Sequence, residues 1–379
     1  MKKLTTLIAL TFISTLTFSQ CNGRYQTEIF SSVNKTTVNY SDVYTDNEHI
    51  MDIYSADGDT EINRPAIIYM HGGSFIGGDK SETDCIDFCE NFAKKGYVTA
   101  SANYRLANNA QNFALYQEEQ YTTVLKVVAD IKSAIRYFRK SIVNGNPYGI
   151  DGSAIFIGGY SAGAVAAIHS AYIDSISDLP ISITYLDILT GQTVDFNPQV
   201  LVNTIGGNLE GDAGNYGFSS EVSGVVSFAG GINDINWIDS NDEPIVSCQG
   251  DADQTVNYNC GPGLNLPTVF TLCGAAEIHP KTNTEGVIND YLVFSSEGHE
   301  WCSAGNSNPL FLQALNFTTD FLFPLLPCNT PTSTQEINTQ NKQLICVTDI
   351  HGRNAIRLNN TTLFYKYSDG SVEKKFVIK

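Results

Sequence analysis

Gly159-Tyr160-Ser161-Ala162-Gly163 is the stretch of this chain best suited to chemistry. A serine hydroxyl is a weak nucleophile until a base takes its proton. On a sharp turn between a strand and a helix it stands clear of the backbone, where a base can reach it. The flanks fit that geometry. Ala154 to Ile157 is an apolar run ending in Gly158 and Gly159, and a run of small residues follows Ser161. Only small residues fit two positions before and after such a serine, because strand and helix nearly touch there. A Gly/Ser surface turn would need neither flank.

The base and its orienting acid follow such an elbow in the chain order serine, acid, histidine. Of the six histidines, His49 and His71 precede Ser161, and His169 lies two turns along the helix after it. His351 lies in the tail. His279 precedes Pro280 in a segment read as a loop with no strand leading to it. His299 follows the strand Tyr291 to Phe294 through Gly298, which makes it the favoured base. For the acid, Asp251 and Asp253 both follow the strand Pro244 to Cys248. Asp253 is placed where a tight turn aims it at the histidine, and Asp251 is read as bracing that turn.

The elements that must position these residues alternate. Val38–Tyr44 and His49–Tyr54 read as an antiparallel hairpin at a sheet edge. The strand 65–70 runs into His71-Gly72-Gly73-Ser74-Phe75-Ile76-Gly77-Gly78, a glycine-rich loop able to present bare backbone N–H groups to an oxyanion. Neither Gly-Lys-Ser/Thr nor Gly-x-Gly-x-x-Gly is present, which argues against phosphate binding there. Helices are expected over 82–95, 117–142 and 309–323, with strands at 97–102, 225–231 and 244–248. This alternation predicts an α/β fold with a mostly parallel central sheet and helices on both faces. Residues 175–222 and 257–289 read as loop-rich insertions, the first lying above the site.

Composition narrows the function classes. The 379 residues carry a formal charge of −18, a surface that repels nucleic acid and anionic membranes. Met1-Lys2-Lys3 followed by the stretch Leu4–Phe18 reads as a secretory signal peptide over residues 1–19. That stretch is too short and polar for a membrane span, and no other segment could be one. Cys21 leaves a lipoprotein anchor as the less favoured alternative. Among nine cysteines, Cys260 with Cys273 and Cys248 with Cys302 are the pairs suggested, and the odd count leaves one over. No cysteine or histidine spacing suits zinc, and no cofactor or metal is expected.

With these residues in view, the chain resembles the α/β-hydrolase superfamily, most closely its bacterial carboxylesterases and feruloyl/acetyl-esterase-like members. The matching stretches are Met51 to Tyr54, Pro65 to Gly78, Gly96-Tyr97, Asn103-Tyr104-Arg105, Asp130 to Arg136, Gly159 to Gly163, Gly250-x-x-Asp253-x-x-Val256 and Gly298-His299. They occur in the family's order over residues 35–325. The resemblance implies Ser161 as nucleophile, His299 as base, Asp253 as its orienter, and backbone donors at Gly73, Ser74 and Ala162. Ser74 departs from a third glycine found in many relatives. The implied activity is that of a secreted serine carboxylic ester hydrolase forming an acyl-enzyme on a small-molecule or polymer-borne ester. Lipase or polyester hydrolase is the alternative, with peptidase or surface-binding protein further behind.

The tail reads separately. Residues 20–328 form the expected hydrolase domain, 329–340 a polar linker, and 341–379 a small β module. The module is similar to the C-terminal sorting domains of type IX secretion in Bacteroidetes, which implies an encounter with secretion machinery. It lacks the Tyr-Pro-Asn-Pro start of the longer form.

Overall fold

The computed structural model describes residues 21–329, 344–348, 361–367 and 372–377. The leader expected at residues 1–19 and most of the linker lie outside them. In chain order the elements are β1 (Val33–Asn39), β2 (Ile50–Ala56), β3 (Arg64–Met70), α1 (Thr83–Lys94), β4 (Val98–Ala102), α2 (Ala110–Leu115), α3 (Gln117–Val143), β5 (Ile150–Tyr160) and α4 (Ala162–Tyr172). Then come β6 (Ile183–Asp187), β7 (Gln192–Phe196), α5 (Pro198–Leu201), β8 (Val225–Phe228), β9 (Ile245–Gly250), β10 (Cys260–Pro262), β11 (Thr271–Cys273), α6 (Ala275–Glu285), β12 (Asn289–Phe294) and α7 (Pro309–Leu322). β13 (Leu344–Thr348), β14 (Thr361–Tyr367) and β15 (Val372–Val377) form a separate antiparallel sheet. The chain divides into two compact units, Met1–Thr330 and Pro331–Lys379.

The first unit is built on an eight-stranded sheet in the order β1-β2-β4-β3-β5-β8-β9-β12. β1, β2 and β4 pair antiparallel, and every pairing from β4 to β12 is parallel. Successive side chains of a strand point to opposite faces, and the apolar strands here serve two cores. Ala66, Ile68 and Met70 of β3 join Ile155 and Ile157 of β5 against α3 and α4. Ile67 and Tyr69, with Phe156, Phe228 and Cys248, face Phe88 and Phe92 of α1 and Phe311 of α7. Continuous rather than alternating apolar strands are what a sheet covered on both faces demands.

Several expectations shift. The edge hairpin forms with its strands at 33–39 and 50–56, so residues 40–49 are its loop. Asp46 caps a single turn in that loop by accepting from Glu48 N and His49 N. The 175–222 insertion is not all above the site. It contains the β6–β7 hairpin, but its second half runs along α3. Arg105 donates to Asp130 and Asp212, and Ser41 Oγ to Ala213 O, tying that half toward the β1 side. The 257–289 segment is more regular than expected. It holds the β10–β11 pair and the eleven-residue α6, with Pro280 inside the helix. His279 therefore sits on a helix rather than a loop, its Nδ1 2.8 Å from Asn289 Oδ1.

The cysteines also differ in part. Cys260 pairs with Cys273, across from it in the β10–β11 register. Cys248 and Cys302 are buried free thiols in the core between the sheet, α1 and α7. Cys21 is bonded to Cys328, so its sulfur is not available to a lipid.

Candidate active site

β5 delivers Ser161 to the sheet's C-terminal edge. Its backbone takes φ 54° and ψ −120°, a region costly for any residue with a Cβ. Neighbouring contacts hold it there. Ser161 N donates to Phe228 O at 2.9 Å, and Val165 N donates to Ser161 O at 2.9 Å as α4 begins. A Cβ on Gly159 would lie 2.5 Å from Gly163 C, and one on Gly163 would lie 2.2 Å from Met70 O. Both positions are closed to side chains, as the sequence pattern required.

The three residues selected from the sequence converge. His299 Nε2 lies 2.7 Å from Ser161 Oγ, and His299 Nδ1 lies 2.7 Å from Asp253 Oδ2. Ser161, Asp253 and His299 are all buried. Asp253 Oδ1 accepts from Thr255 N at 2.9 Å and Val256 N at 3.0 Å, so the carboxylate is fixed by its own turn. Asp251 braces the adjoining loop by accepting from Ser296 N at 2.6 Å. A Cβ on Gly250 would lie 2.2 Å from Glu297 O, so the acid loop and the histidine loop pass in contact.

The glycine-rich loop after β3 folds back on itself. Ile76 N and Gly77 N both donate to Gly73 O. Gly73, Ser74 and Phe75 all take positive φ, at 109°, 57° and 62°. A Cβ on Gly72 would lie 3.4 Å from Ser161 Cβ, so the loop lies directly on the elbow. Among the described residues, no acceptor takes the backbone N–H of Gly73, Ser74 or Ala162. Ser74 and Ala162 line the same cavity as Ser161, whereas Gly73, one residue back, does not. That cavity holds about 350 Å³ counting its open mouth, and its wall is otherwise almost wholly apolar.

Three supporting residues were not singled out from the sequence. Gln249 donates from Nε2 to Val256 O and accepts at Oε1 from Ala275 N, pinning the acid's turn to the start of α6. Tyr104 donates to His71 O at 2.7 Å while its ring stacks on His71 at 4.2 Å, bracing the glycine-rich loop. Tyr160 contacts His299 through both ring and hydroxyl. Tyr104 and Tyr160 lie within the Asn103-Tyr104-Arg105 and Gly159 to Gly163 motifs, and Gln249 carried no such signal. Among the described residues, the other histidines are engaged elsewhere. Burial lowers both His169 and His279 to about 4.

Among the described residues, the carboxylates of Asp174, Asp239 and Asp242 converge within 4.8 Å of one another. They are exposed or half-buried acids and include none of the residues around Ser161.

Together, a serine bonded to an imidazole, an imidazole bonded to a buried carboxylate, and unengaged N–H groups beside the serine can perform acyl transfer. A family model described as BD-FAE matches residues 51–265. A truncated carbohydrate esterase from gut microbiota is similar in structure, with a TM-score of 0.53 and 20% identity over 79% of this chain and 97% of that one. A thermophilic esterase, Est2, from the Planctomycetes species Thermogutta terrifontis, solved with propionate bound, gives 0.52 and 19% over 76% and 93%. The Thermogutta esterase phosphorylated by paraoxon gives 0.51 and 19% over the same shares. At these identities the likeness is one of fold. No curated protein matches the chain.

Proposed function

The chain belongs to the BD-FAE family, and from that premise we propose that it is a serine carboxylic ester hydrolase working through an acyl-enzyme. The observation that carries this reading is the pair of 2.7 Å contacts linking Ser161 Oγ, His299 and Asp253. With Nδ1–H donated to Asp253, His299 presents a lone pair on Nε2 to the serine.

The steps follow from this arrangement. Ser161 Oγ attacks the ester carbonyl carbon as His299 Nε2 takes its proton. The carbonyl oxygen becomes an oxyanion against the N–H groups of Ser74 and Ala162, with Gly73 adjoining. One such donor is worth roughly 10²–10³ in rate in enzymes where it has been removed. Collapse breaks the bond to the alcohol, which leaves with the proton from His299. Water then repeats the sequence on the acyl-enzyme and frees the acid and Ser161. Every proton in the cycle passes through His299, and no other group is required.

The small apolar cavity beside Ser161 supports a short acyl group. The Thermogutta esterase solved with propionate is consistent with that size. The remainder of the ester, whether a small alcohol or a polymer, leaves toward the His299 side. The Cys21–Cys328 and Cys260–Cys273 bridges support export, since disulfides persist in oxidising compartments. The three-stranded C-terminal module is proposed to meet secretion machinery, on its resemblance to sorting domains.

Hydrolysis of p-nitrophenyl acetate and butyrate by the wild type, with Ser161→Ala as control, tests the reading. Turnover abolished by the substitution supports it. Full activity in a folded Ser161→Ala protein contradicts it.

A further inference from the structure

A second cavity lies behind the first. It is lined by Tyr121, Val124 and Leu125 of α3, by His169 and Ile173, and by Trp237, among others. It is a small hollow, with less room inside than the cavity at Ser161. Phe270 lines both. The two share a floor as well. Ser161 and Val165 line the outer cavity, and His169 and Ile173 line the inner one. Val165 and His169 are one turn apart on α4, and Ser161 and Ile173 flank its two ends. One face of α4 therefore runs from the nucleophile beneath Phe270 into the inner cavity.

The inner cavity suits hydrocarbon. Tyr121 Oη donates to Asn233 Oδ1 at 2.5 Å, Trp237 Nε1 to Asp178 O at 2.7 Å, and His169 Nδ1 to Val165 O at 2.6 Å. The surface turned to the cavity is apolar, which leaves a water there with few partners.

The outer cavity lies on the acyl side of the reaction. His299 must protonate the departing alcohol, so the alcohol faces His299. The cavity includes Ser74 and Ala162 but not His299, and on that ground we assign it the acyl side. An acyl chain growing away from Ser161 along α4 therefore meets Phe270.

Phe270 is firmly held. Its N–H donates to Gln120 Oε1 at 3.0 Å, and its carbonyl accepts from Gly263 N at 3.0 Å. Its ring meets Tyr121 edge-on at 5.8 Å. It sits in the segment closed by the Cys260–Cys273 bridge. We propose that Phe270 is the partition that limits the acyl group to a short chain, and that removing its ring joins the hollow behind it to the acyl side. The proposal rests on the ester-hydrolase reading for its kinetic consequence but not for its geometry.

The test compares p-nitrophenyl acetate, butyrate, hexanoate and octanoate for wild type, Phe270→Ala and Phe270→Leu. In Phe270→Ala the octanoate-to-acetate ratio of kcat/KM is expected to rise by roughly tenfold or more, since single methylenes in apolar pockets already discriminate at that scale. Phe270→Leu keeps the backbone bonds and most of the packing, and is expected to shift the ratio in the same direction by less. It decides the matter should Phe270→Ala fail to fold. Adding Ile173→Phe, which refills the inner cavity, should return the ratio toward wild type. An unchanged ratio in folded Phe270 variants overturns the proposal, as does a gain that Ile173→Phe leaves intact. If the wild type cleaves none of these esters, the functional reading fails on its own, and calorimetric titration with octanoate then decides. Tighter octanoate binding to the Phe270 variants than to wild type supports the partition, and equal or absent binding overturns it.

Discussion

The ring of Tyr160 stacks on the imidazole of His299 with centroids 5.2 Å apart, and its hydroxyl donates to His299 O at 3.0 Å. The residue before the nucleophile thus holds the base from beneath, by surface and by hydrogen bond. Serine and histidine are 138 positions apart in the chain, and Tyr160 makes the elbow itself part of the support for the histidine loop. Tyr160→Phe keeps the ring and loses the bond. A fall in kcat of about 3- to 10-fold is expected, in line with one hydrogen bond, with KM little changed. A larger loss in Tyr160→Ala would separate the stacking contribution. Wild-type kcat in both variants would contradict the positioning role.

Asp253→Asn leaves a side chain that still accepts from Thr255 N and Val256 N, so the turn should fold. It no longer presents a carboxylate to His299 Nδ1, and the imidazole loses both its preferred tautomer and the charge that stabilises its protonated form. Activity is expected to fall by roughly 10²–10⁴-fold, with a melting temperature close to wild type. Asp251→Asn is the contrasting variant, because Asp251 meets Ser296 N and not the histidine. Its activity should fall far less. Equal losses in the two would contradict the assignment of the acid.

Asp84 gives a pH signature unrelated to turnover. Burial pushes its carboxyl up to about 7, against ~3.9 in an unfolded chain. Between those values the native state holds a proton that the unfolded state has released. Stability therefore falls as pH rises from about 4 to 7, and levels off above that. Asp84→Asn has no such titration. Melting temperatures across pH 4–8 should show the variant gaining on the wild type through this window. A constant difference between them would contradict the account.

The Cys21–Cys328 bridge spans nearly the whole first unit, its cysteines 307 positions apart. Long closures restrict the unfolded chain most, and native bridges typically contribute about 2–4 kcal/mol. Cys328→Ser should lower the melting temperature measurably while leaving short-chain ester turnover near wild type at 25 °C. An unchanged melting temperature would show that the bridge does not restrain the unfolded chain.

What the sequence revealed follows the range over which the physics acts. The elbow was legible because strand, turn and helix are contiguous, although the contacts that close Gly159 and Gly163 to side chains come in part from Met70 on the neighbouring strand. His299 and Asp253 were reachable because each follows its own strand by a short loop. Gln249 was not, since its value lies in bonds to Val256 and Ala275 from different elements. Phe270 looks like any core phenylalanine until α3 and α4 are packed against it. Helix α6 was missed because Pro280 sits inside it, and a proline argues against a helix interior. The cysteine pairing was half legible. Cys260 and Cys273 are local partners, whereas Cys21 and Cys328 meet only through the folded first unit.

The central claim is that Ser161 is acylated during turnover. Its most direct test is peptide mapping by mass spectrometry after exposure to paraoxon, which transfers a phosphoryl group to an activated serine. The account predicts a single adduct on the peptide containing Ser161, loss of ester hydrolysis in proportion to labelling, and no adduct in Ser161→Ala. Labelling on a different residue, or ester hydrolysis that persists in fully labelled protein, would contradict it.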